Sequence, residues 1–151
     1  MNTIVMNTLT GAVTEYADFP FDSITETHAG NAAGLYTLGG ETDNGDAIVS
    51  EVLTGETLWD SSLKKRVEMV YFSIPECAGE GELIVKARDR MGDEAEYRYG
   101  FPVRAAGQSR AQPGKGIREN YLTFGFSNPA GDAFTLDRIE VAVAQSTTRR
   151  V

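Results

Sequence analysis

The chain has 151 residues, 41% of them hydrophobic and 24% charged, with a formal net charge of −8 and a single cysteine, Cys77. A chain of this length buries roughly 68–70% of the surface it exposes when unfolded, enough for one ordinary domain or two small ones without covalent staples. The lone cysteine excludes an internal disulfide and a four-thiolate metal site, and the acidic balance argues against general nucleic-acid binding, which needs a basic face.

The charge is unevenly placed. Residues 1–63 hold ten carboxylates and neither Lys nor Arg, whereas all fourteen cations come later, beside the other twelve acids. A front near −10 and a rear near +2 give one chain two complementary surfaces, the pattern of a molecule that docks against others. No apolar run approaches the ~18 residues of a membrane span. The opening MNTIVMNTLTGAV lacks the positive charges of a secretory signal, so a soluble, unprocessed chain is expected.

From the N-terminus, short strands are expected near 3–8, 12–16, 35–38 and 47–53, broken by Gly11, Gly30, Gly34, the pair Gly39-Gly40, Gly45 and Gly55. Their spacing suits a four-stranded antiparallel sheet, and no internal repeat is visible. TLWDSSLKKR at 57–66 offers a cap at Asp60 or Ser61 before good helix formers, so a single helical turn is expected there. We set a boundary beside that turn, between an acidic N-terminal β region, 1–62, and an antiparallel β-sandwich-like region, 63–151. The two also fit one compact unit.

In the second region, the dense Val-Glu-Met-Val-Tyr-Phe within 67–74 predicts a strand buried on both faces. Over 82–103, Leu83, Val85 and Ala87 alternate with Ile84, Lys86 and Arg88 before Met91-Gly92-Asp93-Glu94 turns the chain. On the return, Ala95, Tyr97, Tyr99 and Phe101 alternate with Glu96 and Arg98, which predicts a hairpin with one wet face. A second hairpin is expected to pair 121–126 with 134–143 across Ser127-Asn128-Pro129-Ala130-Gly131-Asp132. Nowhere do apolar residues keep the i, i+3, i+4, i+7 pattern for the ~11 residues of an amphipathic helix, so the fold class is all-β.

Candidate chemistry is thin. His28, the only histidine, has no second histidine or cysteine near it in sequence and reads as a loop or packing residue rather than a base or ligand. Cys77 ends a strand and reads as a free thiol. Glu41-Thr42-Asp43-Asn44-Gly45-Asp46 lacks the order of a calcium loop and reads as a turn. Gly114-Lys115-Gly116 has no glycine at phosphate-loop spacing and no following Ser or Thr. Glu80 and Glu82 read as solvated turn carboxylates, and Trp59, Tyr16 and Tyr36 as core aromatics rather than sugar platforms. No catalytic, cofactor or metal residue emerges.

Residues 104–118 resist so plain a reading. They form a structureless connection of fifteen residues with four cations, Arg104, Arg110, Lys115 and Arg118, and no acid. Connections of this length are usually functional or disordered. The functional reading is an arm whose guanidinium groups meet a neighbour's carboxylates, with Arg149 and Arg150 of the C-terminal tail doing the same.

The runs Asn7-Thr8-Leu9-Thr10-Gly11-Ala12-Val13-Thr14-Glu15-Tyr16, Thr27-His28-Ala29-Gly30 and Gly34-Leu35-Tyr36-Thr37-Leu38-Gly39-Gly40 with Thr42-Asp43 carry a resemblance. So do Leu58-Trp59 through Tyr71-Phe72, Gly107 through Tyr121, and Thr148-Arg149-Arg150. Together they cover nearly the whole chain, which resembles a family of small proteins encoded by tailed bacteriophages and prophages. The resemblance implies a virion structural protein of the distal tail or baseplate, made in the bacterial cytoplasm and incorporated into the particle. It implies partners among other phage structural proteins in a threefold or sixfold assembly, no catalytic residues and no cofactor, with a host receptor as a further class of partner.

Overall fold

The computed structural model describes residues 3–11, 13–16, 20–40, 42–43, 45–59, 62–75, 79–89 and 91–145. Among them the chain is all-β, with antiparallel strand pairing and no helix. It divides into two compact units, Met1–Gly40 and Glu41–Val151. The boundary expected at 62/63 is displaced because the strand at 51–53 pairs with the later part of the chain.

The first unit holds a two-stranded ribbon, β1 (Thr3–Met6) with β2 (Val13–Tyr16), and a three-stranded sheet of β3 (Ser23–Ile24), β4 (His28–Asn31) and β5 (Gly34–Thr37). Side chains that bond to backbone shape its turns. Asn7 Oδ1 accepts the N–H groups of Leu9 and Thr10 at 2.9 and 3.2 Å, and Asn31 Oδ1 those of Ala33 and Gly34 at 2.9 and 3.3 Å. These Asx turns replace regular pairing where the chain reverses. The single four-stranded sheet expected for the front of the chain does not form.

The second unit contains a small hairpin of β6 (Thr42–Asp43) and β7 (Asp46–Ala47), then β8 (Glu51–Leu53), β9 (Lys65–Ser73), β10 (Gly79–Arg88) and β11 (Glu94–Val103). It continues through β12 (Gln108–Ala111), β13 (Arg118–Glu119), β14 (Tyr121–Ser127) and β15 (Arg138–Gln145). One sheet has the order β11-β10-β14-β8. In the other, β9 pairs with β12 and β13 along one edge and with β15 along the opposite edge.

The two sheets share one core. Leu83, Val85, Phe101, Leu122, Phe124 and Phe126 come from the first sheet, and Val67, Val70, Phe72 and Ala111 from the second. Phe72 stacks on Phe101 at 5.0 Å and lies 5.7 Å from Phe126, which Phe134 meets edge-on at 4.7 Å. Such ring geometry adds about 0.5–1.5 kcal/mol per pair beyond area burial. Gly81 and Gly125 allow close approach. A Cβ at Gly81 would stand 2.5 Å from Phe126 and 2.8 Å from Val103, and one at Gly125 would strike Leu53 of the neighbouring strand.

The hairpin expected over 82–103 forms as β10 and β11, in register from Arg88 opposite Glu94 to Gly79 opposite Val103. Three other expectations are corrected. The helical turn at 57–66 is absent among the described residues, Asp60 and Ser61 lying outside them. β9 is buried on one face only, with Val67, Val70 and Phe72 inside and Glu68 exposed. The strand buried on both faces is β14, at the centre of its sheet. Finally, β14 and β15 do not pair. β14 lies between β10 and β8, and β15 joins β9 in the other sheet. The connection after β14 is too long for a hairpin turn and is tied down elsewhere: Asn128 Oδ1 accepts the Ser50 N–H at 2.6 Å, and Asn128 Nδ2 donates to the Asp132 carbonyl at 2.7 Å.

Candidate docking surfaces

Residues 104–118 are not structureless. After a corner in which the Arg104 N–H donates to Ser109 Oγ at 2.9 Å, Gln108–Ala111 forms β12 and registers on β9 from Ser73 to Val70. Ser109, Ala111, Pro113 and Ile117 are buried while Gln108, Arg110 and Gln112 are exposed. That is the period of two expected of a strand, carried inward by side chains too small or too polar to flag a core position. Its cations point to solvent. Arg104, Arg110, Lys115 and Arg118 are all exposed, and none forms an ion pair with a described residue. Arg149 and Arg150 lie outside the described residues.

Arg118 stands directly opposite Arg66 in the register. Like charges facing each other across a ladder are unfavourable. Arg66 is relieved by Glu68 at 2.8 Å, and Arg118 is not. On the same outer face, Arg110 lies opposite Tyr71, which lies opposite Glu140. Glu140 is taken up by Arg138 at 3.0 Å and Gln108 at 3.3 Å.

On the outer face of the other sheet every cation is paired, while Glu80 and Glu94 stand exposed without an ion pair among the described residues. Arg98 on β11 donates to Glu51 at 2.7 Å, Glu82 at 3.0 Å and Glu96 at 2.7 Å, and Lys86 reaches Glu96 at 3.2 Å. The hydrogen bond to Glu51, followed by those to Glu96 and Glu82, raises the Arg98 pKa, and Arg98 and Lys86 together lower that of Glu96. Arg88 bonds Glu56 at 2.6 Å, which raises its pKa, and lies 4.5 Å from the centre of the Tyr121 ring. Glu51 and Glu56 belong to the cation-free front of the sequence, so part of the charge asymmetry is cancelled within the chain. Sequence reasoning missed this; the signal was available only once β8 was placed beside β14.

The other candidates are occupied by structure. Trp59, held at φ 43°, donates its Nε1–H to the Leu122 carbonyl at 2.9 Å and sits edge-on to Phe124 at 5.3 Å. Tyr36 packs with Phe21, and the side chain of Tyr16 lies outside the described ones. His28 Nδ1 is 2.9 Å from Thr27 Oγ1, and the His28 N–H donates to Thr25 Oγ1 in the β3–β4 turn. Cys77 lies outside the described residues, as do Glu41 and Asn44 of the calcium-like run, whose Asp43 and Asp46 pair across a tight hairpin. Glu82 serves Arg98.

Lys65 is buried at the start of β9, its Nζ donating to the Leu63 carbonyl at 3.0 Å and the Asn120 carbonyl at 3.4 Å, and burial lowers its pKa. Asn120 Nδ2 donates to the Ser62 carbonyl at 2.6 Å while its Oδ1 has no hydrogen-bond partner among the described residues. The pair ties residues 62–63 to β13 and β14. A notch between Glu56, Lys86, Arg88, Glu94, Tyr121 and Thr123 measures about 30 Å³, a volume for water. Ligand pockets run to roughly 300–1,000 Å³. Among the described residues, no three His, Cys, Asp or Glu side chains converge as a metal site.

What the chain does offer is surface for contact. Among the described side chains of Met1–Gly40 only Ala29 is buried, while Ile4, Met6, Leu9, Val13 and Leu35 are 72%, 59%, 95%, 63% and 76% exposed. Met6 lies opposite Val13 in the ribbon and Ile4 shares their face. In comparisons with known proteins, no family model, curated protein or solved structure matches this chain.

Proposed function

We propose that this chain is a non-enzymatic virion structural protein of a tailed bacteriophage, seated in the tail or baseplate, that works by polyvalent docking to copies of itself and to other tail proteins. The resemblance described above supplies the setting. The observation that carries the docking is the apolar exposure of the N-terminal unit, since a two-stranded ribbon with Ile4, Met6 and Val13 in solvent is marginal unless another surface covers it. The cations of residues 104–118, unpaired among the described residues, supply a second surface of opposite charge to the first.

A tail-tip glycan or receptor module built on Trp59 has less support, because that indole is engaged with Leu122 and Phe124. Capsid decoration or head-to-tail closure differs from the tail reading in location and copy number. Labelled antibody against the protein, imaged on intact particles, is the deciding experiment: label at the distal tail or baseplate is expected. Label over the capsid, or none on purified virions, overturns the reading.

A further inference from the structure

Among the described residues, the outer face of the β9 sheet carries charges that its own neighbours leave unpaired. Alternation along β9 and β15 brings Met69, Tyr71, Ala142 and Ala144 to that face, all half-buried. Around this apolar stripe stand Arg66, Arg110, Arg118 and Arg138, against two carboxylates, Glu68 and Glu140, both already paired. Arg110 and Arg118 have no anionic partner among the described residues, and Arg118 is set against Arg66, an arrangement that an incoming carboxylate would relieve.

A second surface is the N-terminal unit. Residues 1–40 contain four carboxylates and no Lys or Arg, and of these Asp22 and Glu26 are exposed. The apolar face of the ribbon, Ile4, Met6 and Val13, has the complementary need for an apolar stripe.

We propose that the N-terminal unit of one copy docks on the outer face of the β9 sheet of a second copy, its apolar ribbon on the Met69–Tyr71 stripe and its carboxylates on Arg110 and Arg118. This deepens the docking reading above and rests on it. Charge complementarity selects the occupant: two N-terminal units, each with four carboxylates and no Lys or Arg, would set acid against acid, and two β9 faces would set arginine against arginine. The contact is therefore heterologous. Each copy gives one surface and receives the other, so assembly continues until a ring closes or a filament grows.

The test uses the full chain and two variants, one with Ile4→Ser, Met6→Ser and Val13→Ser, the other with Arg110→Ser and Arg118→Ser. Mass is read by light scattering over a range of concentration and salt, after thermal unfolding shows each variant folded. The parent chain is expected to associate beyond a dimer, and less so at high salt. Each variant alone is expected to associate at least about tenfold more weakly. An equal mixture of the two should give a one-to-one heterodimer, because one partner keeps an intact β9 face and the other an intact ribbon.

Asp22→Lys with Glu26→Lys provides a second lesion on the acidic side that leaves the ribbon untouched, and it should behave like the ribbon variant. A parent that is monomeric at every concentration overturns the proposal, as do variants that fail to combine when mixed or a dimer that neither lesion weakens. Binding of a single-stranded oligonucleotide that is lost with Arg110→Ser and Arg118→Ser reassigns the face to nucleic acid and likewise overturns it. A monomeric parent that is still found in the tail of purified particles rejects this contact alone. Absence from particles rejects the structural role whatever the oligomeric state.

Discussion

In Glu41–Val151, Phe72, Phe101, Phe124 and Phe126 meet in a common core from two sheets, whereas in Met1–Gly40 residues of similar character, Ile4, Met6, Val13 and Leu35, stand in solvent. Hydrophobic content does not separate the two regions; layering does. A strand buries its apolar face only against a second layer, and the N-terminal unit, at a length below which isolated chains seldom support a core, has none of its own. Its order rests on local bonds such as those of Asn7, Thr25 and Asn31. The second unit is held by distant contacts and the first by near ones, which makes the first the part that a partner can complete.

The largest expected effect sets one side chain from each region against the other. Phe72→Ala removes a fully buried ring that touches two others and should cost about 3–5 kcal/mol in urea unfolding. Leu35→Ala, on an exposed strand position, should change stability by no more than about 0.5 kcal/mol in the isolated chain. Comparable losses for both would break the comparison, since Leu35 would then have a buried role. Next in size is Gly81→Val, which forces a branched side chain into the space between Phe126, Val103 and Phe101 and should destabilise by about 1–3 kcal/mol or more. Gly100→Val, where no atom lies within 4 Å of a new Cβ, is the control and should be much milder.

Where the sequence could be read, it was because side chains declare a period. Leu83, Val85 and Ala87 against Lys86 and Arg88 leave little choice of face, and the hairpin of β10 and β11 follows. Residues 104–118 have the same period in Ser109, Ala111 and Pro113, but serine, alanine and proline also fill loops, so the strand was hidden. The partner of β14 was hidden for a different reason. Turn formers such as Asn128 and Gly131 report that the chain turns, not where it goes, and here they clamp residues 47–50 instead of closing a hairpin. The four cations of residues 104–118 were legible as a charge cluster; that Arg118 faces Arg66, and that Glu51 and Glu56 pair with Arg98 and Arg88, required the register.

A smaller effect concerns the buried lysine. Burial lowers the Lys65 pKa, so between that depressed value and the ordinary lysine value of 10.5 the unfolded chain holds a proton that the folded chain has released. Stability must therefore rise with pH across that window. Lys65→Met removes the rise and, by exchanging a desolvated ammonium for an apolar stem while leaving the Leu63 and Asn120 carbonyls without this donor, should shift stability at neutral pH by less than about 1.5 kcal/mol. Urea midpoints of both proteins from pH 7 to 11 measure it. An identical slope in the two would show that Lys65 keeps an ordinary titration despite its burial.

The smallest effect lies in the Arg98 network and sharpens the contrast between cations paired within the chain and those left for a partner. Glu96 has a pKa below the ordinary carboxylate value of 4.5, chiefly through its hydrogen bond from Arg98 and then that from Lys86. A depressed carboxylate contributes stability that is fully present above its unfolded value and is lost as pH falls through its folded value. The loss of stability on acidification below the ordinary carboxylate range should therefore be shallower in Glu96→Gln than in the parent. Because every pair in this network is partly solvated, the difference should be modest and should shrink in high salt. Self-association through Arg110 and Arg118 should respond to salt far more strongly, since those guanidinium groups have no ionic partner among the described residues. A folding stability that rises with salt would mean that uncompensated like charges dominate the sheet around Arg98, and the division of charge between the two sheets would fail.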